Sequence, residues 1–72
     1  MEIEKQLVSS SNVEGLGYDE EAQTLRVWFT TGTIYDYANV PKIEFEALLY
    51  ASSIGAYFNR NVKGLYPYTK VG

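Results

Sequence analysis

The run SSIGAYFNRNVKG, residues 52–64, carries most of the binding chemistry this chain has to offer. Placed on one helix, Ser53, Tyr57 and Arg60 fall at i, i+4 and i+7 and share a side: a hydroxyl, a phenol and a guanidinium. Asn59 and Lys63 lie on a neighbouring stripe. If Ser53 caps this helix, the amides that follow it are free donors at the positive end of the dipole, where a phosphate or carboxylate is stabilised. Further along, Tyr66 and Tyr68 in YPY can stack on bases, a contact worth about 1–3 kcal/mol per base. The plain alternative is an amphipathic helix with a wet polar face, Ser53 being nothing more than its cap.

Other chemistries find no residues to work with. The chain has no cysteine and no histidine, which removes the usual nucleophile–base pairs, the commonest general acid–base group and the usual transition-metal ligands. Glu44 and Glu46 stand two apart on a predicted helix and point to different sides. Asp19-Glu20-Glu21 lacks the spacing of a calcium loop and reads as a solvated turn. The GLG at 15–17 lacks the third glycine of a phosphate-binding fingerprint and the strand before it. The expectation is a non-catalytic chain with no metal and no cofactor.

At 72 residues the chain makes one domain, 1–72, with residues 1–8 an arm or an edge strand. A domain of this size buries only about 60% of its unfolded surface. Seven Tyr, three Phe and Trp28 are the substitute for the missing disulfide or metal staple, and a second copy of the chain is another. Net charge is −3, unevenly placed: residues 1–50 hold three bases and nine acids, residues 51–72 three bases and no acid. A footprint for duplex DNA is not expected from such a chain, whereas a local anion site near the C-terminus is. The two charge blocks attracting one another is the alternative. Residues 1–20 lack the apolar run of a signal peptide, and no stretch reaches the ~20 apolar residues of a membrane span, so a cytoplasmic, membrane-free protein is expected.

The elements that must position these residues are led by TLRVWFTTGTIYDYA, 24–38, two alternating runs around a glycine that read as a β-hairpin. A three-residue loop with Gly32 in the left-handed region sets Trp28 against Ile34, Val27 against Tyr35, Arg26 against Asp36 and Leu25 against Tyr37. That register gathers Leu25, Val27, Phe29, Tyr35 and Tyr37 on one face and pairs opposite charges on the other. Tyr35 and Tyr37 then lie with their rings against the core and their hydroxyls at its rim, where a buried phenol needs a partner. VEGLGYD, 13–19, reads as a weaker strand and DEEAQ, 19–23, as a turn. Pro41 opens a helix through KIEFEALLYA; Ser52-Ser53 and Gly55 weaken its middle, where it breaks. Ala47, Ala51 and Gly55 form a small-residue stripe suited to close packing on the sheet, which Phe58 and Val62 extend. Gly64 suits a C-cap, and LYPYTKV is a terminal extended segment in which Pro67 requires an edge position.

Read together, SSN-V at 10–13, GYD at 17–19, L-V-F--G--Y-Y--VP from Leu25 to Pro41, A-S-G-YFN--V from Ala51 to Val62 and YPY at 66–68 resemble the KTSC domain. That family takes its name from a segment at the C-terminus of some lysyl-tRNA synthetases and also occurs as small stand-alone proteins of bacteria and phages. The resemblance covers about residues 8–70 and implies an association with RNA, but no catalytic residue. The acidity of this chain departs from what RNA binding leads one to expect.

The fold expected is α+β: a small antiparallel sheet of three or four strands with one broken helix packed on one face. The function expected is a binding module for a phosphate-bearing ligand, single-stranded RNA or a nucleotide, held by Ser53, Tyr57, Asn59, Arg60, Lys63, Tyr66 and Tyr68. The alternative is a protein–protein or oligomerisation module using Trp28 and Ile34, which face each other on the side of the sheet away from the helix.

Overall fold

Cross-strand pairing around Gly32 sets the frame of the molecule. In the computed structural model, which describes residues 3–72, β3 (Thr24–Phe29) and β4 (Ile34–Tyr37) pair with the register read from the alternation: Leu25 opposite Tyr37, Arg26 opposite Asp36, Val27 opposite Tyr35, Trp28 opposite Ile34. The Phe29 amide donates to the Thr33 carbonyl (2.9 Å) and Gly32, at φ 95°, turns the chain as only glycine does without strain. On the outer face Arg26 grips Asp36 through two bonds, Nε to Oδ1 at 2.6 Å and Nη2 to Oδ2 at 2.8 Å. This paired fork locks the hairpin against slippage.

To one side of the hairpin β2 (Val13–Asp19) and then β1 (Gln6–Leu7) add on; β5 (Tyr68–Lys70) adds on the other. The result is a five-stranded antiparallel sheet in the order β1-β2-β3-β4-β5. The expected count of three or four strands is therefore too low. The strands that raise the count are the short edges β1 and β5, of two and three residues, in the segments expected as an arm or edge strand (1–8) and a terminal extended segment (65–71); their side chains are all exposed and so lack the alternation that marks a half-buried strand. A bulge between Val13 and Gly15 resets β2, so that Val13 and Leu16 both face inward.

The helical layer consists of α1 (Lys42–Leu49) and α2 (Ile54–Asn61), two helices where one broken helix was expected. Pro41 stands at the entrance to α1, its carbonyl accepting from the Glu44 and Phe45 amides. Ser53 caps α2 by accepting from the Ala56 amide at 3.3 Å. The small-residue stripe fails on α1, where Ala47 is exposed and Phe45 and Leu48 are the buried residues. The chain turns at 50–53, so the two helices keep no common phase; α2 buries Ile54 and Phe58, with Val62 just beyond. These side chains meet Val13, Leu16, Leu25, Val27, Tyr37 and Val40 in a single core. Tyr18 ties the layers together: its ring stacks on Phe45 (5.0 Å) and its hydroxyl donates to the Val40 carbonyl. Among the described residues no helix is long and apolar enough to cross a membrane.

Candidate functional site

Two helices of eight residues reach about 12 Å each and do not cover the whole inner face of the sheet. Near the β3–β4 turn the layers part to form a cleft of about 540 Å3. Its floor is aromatic. Phe29, Tyr35 and Tyr37 from the sheet, Phe58 from α2 and Tyr68 from β5 meet mostly edge to face, with centroids 5.3 Å apart for Tyr35–Tyr68 and 5.5 Å for Tyr37–Phe58. Its walls bring polar groups from Asn12, Thr30, Thr31 and Thr33 on one side and from Asn59 and Lys63 on the other, with Val13, Gly55 and Gly64 between them.

No carboxylate among the described residues lines this cleft. The distribution of ion pairs sharpens the point. Lys5 pairs with Glu14 (2.7 Å), Arg26 with Asp36 and Lys42 with Glu20 (3.1 Å). Arg60, Lys63 and Lys70 have no carboxylate partner among the described residues. Among the described residues the C-terminal bases thus form no ion pair with the acidic part of the chain.

Tyr37 is the most enclosed polar residue of the floor, only 5% exposed, and its hydroxyl has no hydrogen-bond partner among the described residues. Burial first, then the neighbouring Tyr35 and Tyr68 phenols, push its pKa up to about 12. At neutral pH it is a protonated donor.

The structure divides the residues picked from the sequence. Asn59, Lys63 and Tyr68 line the cleft together; Tyr68 is 64% exposed, its ring beside those of Tyr35 and Tyr37. Ser53 is the cap of α2, and Arg60 is exposed outside the lining. Tyr57 turns the other way, its hydroxyl donating to Glu44, whose bond raises the phenol's pKa. Tyr66 is half-buried against the core. The stripe that faces the cleft is therefore Gly55–Asn59–Lys63, four apart, next to the Ser53–Tyr57–Arg60 stripe read from the sequence. Sequence reasoning missed Asn12, Thr30, Thr31 and Thr33, and it assigned Tyr35 and Tyr37 to the core without the side they present to the cleft. The signal available was a stripe with no bulky apolar residue running beside Phe58 and Val62, which a helix fully seated on a sheet would not leave.

On the opposite face Trp28 and Ile34 are half-buried. The Lys5 ammonium sits 5.6 Å from the centroid of the Trp28 ring, and Gly72 lies against Ile34, so the chain's own ends supply part of their cover.

The model of the KTSC domain family matches residues 9–66. This chain belongs to the KTSC domain family. An uncharacterized protein of Stutzerimonas stutzeri is 45% identical over 56 residues, 78% of this KTSC chain and 79% of the other. A lysine–tRNA ligase of Nostoc punctiforme is 33% identical over 61 residues, 85% of this chain but 11% of the ligase. The crystal structure of a KTSC domain protein from Yersinia pestis superposes with a TM-score of 0.95 at 31% identity, covering 99% of this chain and 100% of that one.

Proposed function

We propose that this KTSC domain is a small non-catalytic binding module for a phosphate-bearing ligand, a nucleotide either free or as part of single-stranded RNA. The observation that carries the reading is the aromatic cleft with Lys63 on its wall and no carboxylate among the described residues lining it; Arg60 and Lys70 are the other bases without a carboxylate partner among the described residues. Aromatic rings accept the flat base, and Asn59 and Lys63 supply donors for the phosphate. The lack of cysteine and histidine favours binding over turnover, and the similarity to part of lysine–tRNA ligases supports an RNA-related ligand.

The test is fluorescence anisotropy with a labelled single-stranded RNA oligonucleotide, together with calorimetry against nucleoside monophosphates. The wild-type domain is expected to bind at least one of them, and Arg60→Ala combined with Lys63→Ala to weaken that binding by about tenfold or more. Binding indifferent to both substitutions would remove the site from consideration.

A further inference from the structure

Tyr37 lines the cleft, is 5% exposed as a residue, and its hydroxyl has no hydrogen-bond partner among the described residues. No buried side-chain oxygen or nitrogen among those residues lacks a partner, so this hydroxyl is the part of Tyr37 that reaches solvent and is free to donate. No carboxylate among the described residues lines the cleft to accept its proton. Its surroundings are rings: Tyr35, Phe58 and Tyr68 lie within 6.4 Å, centroid to centroid. A donor set among aromatic faces fits a flat ring that carries an acceptor on its edge. The exposed Lys63 and Asn59 occupy the outer wall, so the anionic end of a ligand belongs outward and its ring inward.

Resting on the binding function proposed above, we infer that the cleft takes one nucleotide unit ring-inward, with the Tyr37 hydroxyl donating to an acceptor on the edge of the base. Tyr37 is then the residue that sets ligand specificity. Sites built around an unpaired polar group discriminate strongly, since the wrong ligand leaves that group unsatisfied.

Three probes test this by calorimetry on the full chain: uridine 5′-monophosphate, adenosine 5′-monophosphate, and ribose 5-phosphate as a control without a base. The wild type is expected to bind a nucleotide more tightly than ribose 5-phosphate. Tyr37→Phe is expected to weaken that nucleotide about tenfold and leave ribose 5-phosphate unchanged. Thermal unfolding of Tyr37→Phe is expected at the wild-type temperature or above, because an unpartnered hydroxyl contributes nothing to the fold. A nucleotide bound equally by wild type and Tyr37→Phe overturns the inference and leaves the binding function standing. A lower unfolding temperature for Tyr37→Phe also overturns it, since the hydroxyl then has an internal partner. No binding of any probe by the wild type overturns both.

Discussion

At the scale of single residues, Tyr37 has a consequence that needs no ligand to measure. A phenol is charged when it loses its proton, and burial holds Tyr37 neutral to about pH 12, against about 10 for a solvated one. The folded state therefore keeps a proton that the unfolded chain releases. Stability linked to this group is intact below pH 10 and lost as the pH rises toward and through 12. By pH 12 the loss is at most about 2 kcal/mol, and solvent at the hydroxyl screens part of it. Because other phenols and lysines titrate in the same window, the quantity to read is the difference between wild type and Tyr37→Phe in urea unfolding at pH 9 and pH 12. The wild type should lose more than the variant, by no more than that amount. An ultraviolet titration should show the corresponding phenol as the last to ionise, and its early ionisation would mean that the ring is not enclosed. Burial also comes first in raising the Tyr18 pKa, whereas the bond to Glu44 comes first for Tyr57.

At the scale of elements, β2 is shaped by what crosses it. Gly15 and Gly17 lie beneath residues 3–6, and a Cβ on Gly17 would fall 2.4 Å from Ile3 Cγ2 and 2.6 Å from the Glu4 carbonyl oxygen. Neither approach is tolerable, and the second involves backbone. Gly17→Ala is therefore expected to lift the arm from the sheet at a cost of roughly 1–3 kcal/mol. Freed of the Lys5 ammonium over its ring, Trp28 should emit further to the red. Unchanged emission and unchanged stability would show that the arm does not lie there. These two glycines illustrate what was legible in the sequence. They could be read as weakening a strand, but not as making room for an arm, because the arm's position depends on tertiary contacts that no local pattern records. The hairpin was legible down to its register, since a buried face and paired charges leave only one alignment. The helix break at Ser52-Ser53 was legible from capping and glycine; the phase of the two helices, which decides that Phe45 and Leu48 go inward and Ala47 outward, was not.

At the scale of the whole molecule, the candidate site was half legible: its residue types could be read, but not the gap between helices and sheet that sets Asn59, Lys63 and Tyr68 around Tyr37. What the fold adds is a separation of charge. Among the described residues, pairing of Lys5, Arg26 and Lys42 with acids leaves Arg60, Lys63 and Lys70 as the cations without a carboxylate partner, in a chain of net charge −3. This bounds the salt dependence of binding. Each phosphate neutralised on a single strand contributes about −0.7 to the slope of log K against log salt. Three cations therefore limit the slope for a short single-stranded RNA to about −2. Lys63→Ala should flatten it by roughly 0.7, whereas Lys42→Ala, which breaks the pair with Glu20, should leave it unchanged. Anisotropy titrations at several salt concentrations read all three slopes. A slope near zero would mean that phosphates are not the anions held. One much steeper than −2 would require bases from the paired, acidic part of the chain and would place the binding surface elsewhere.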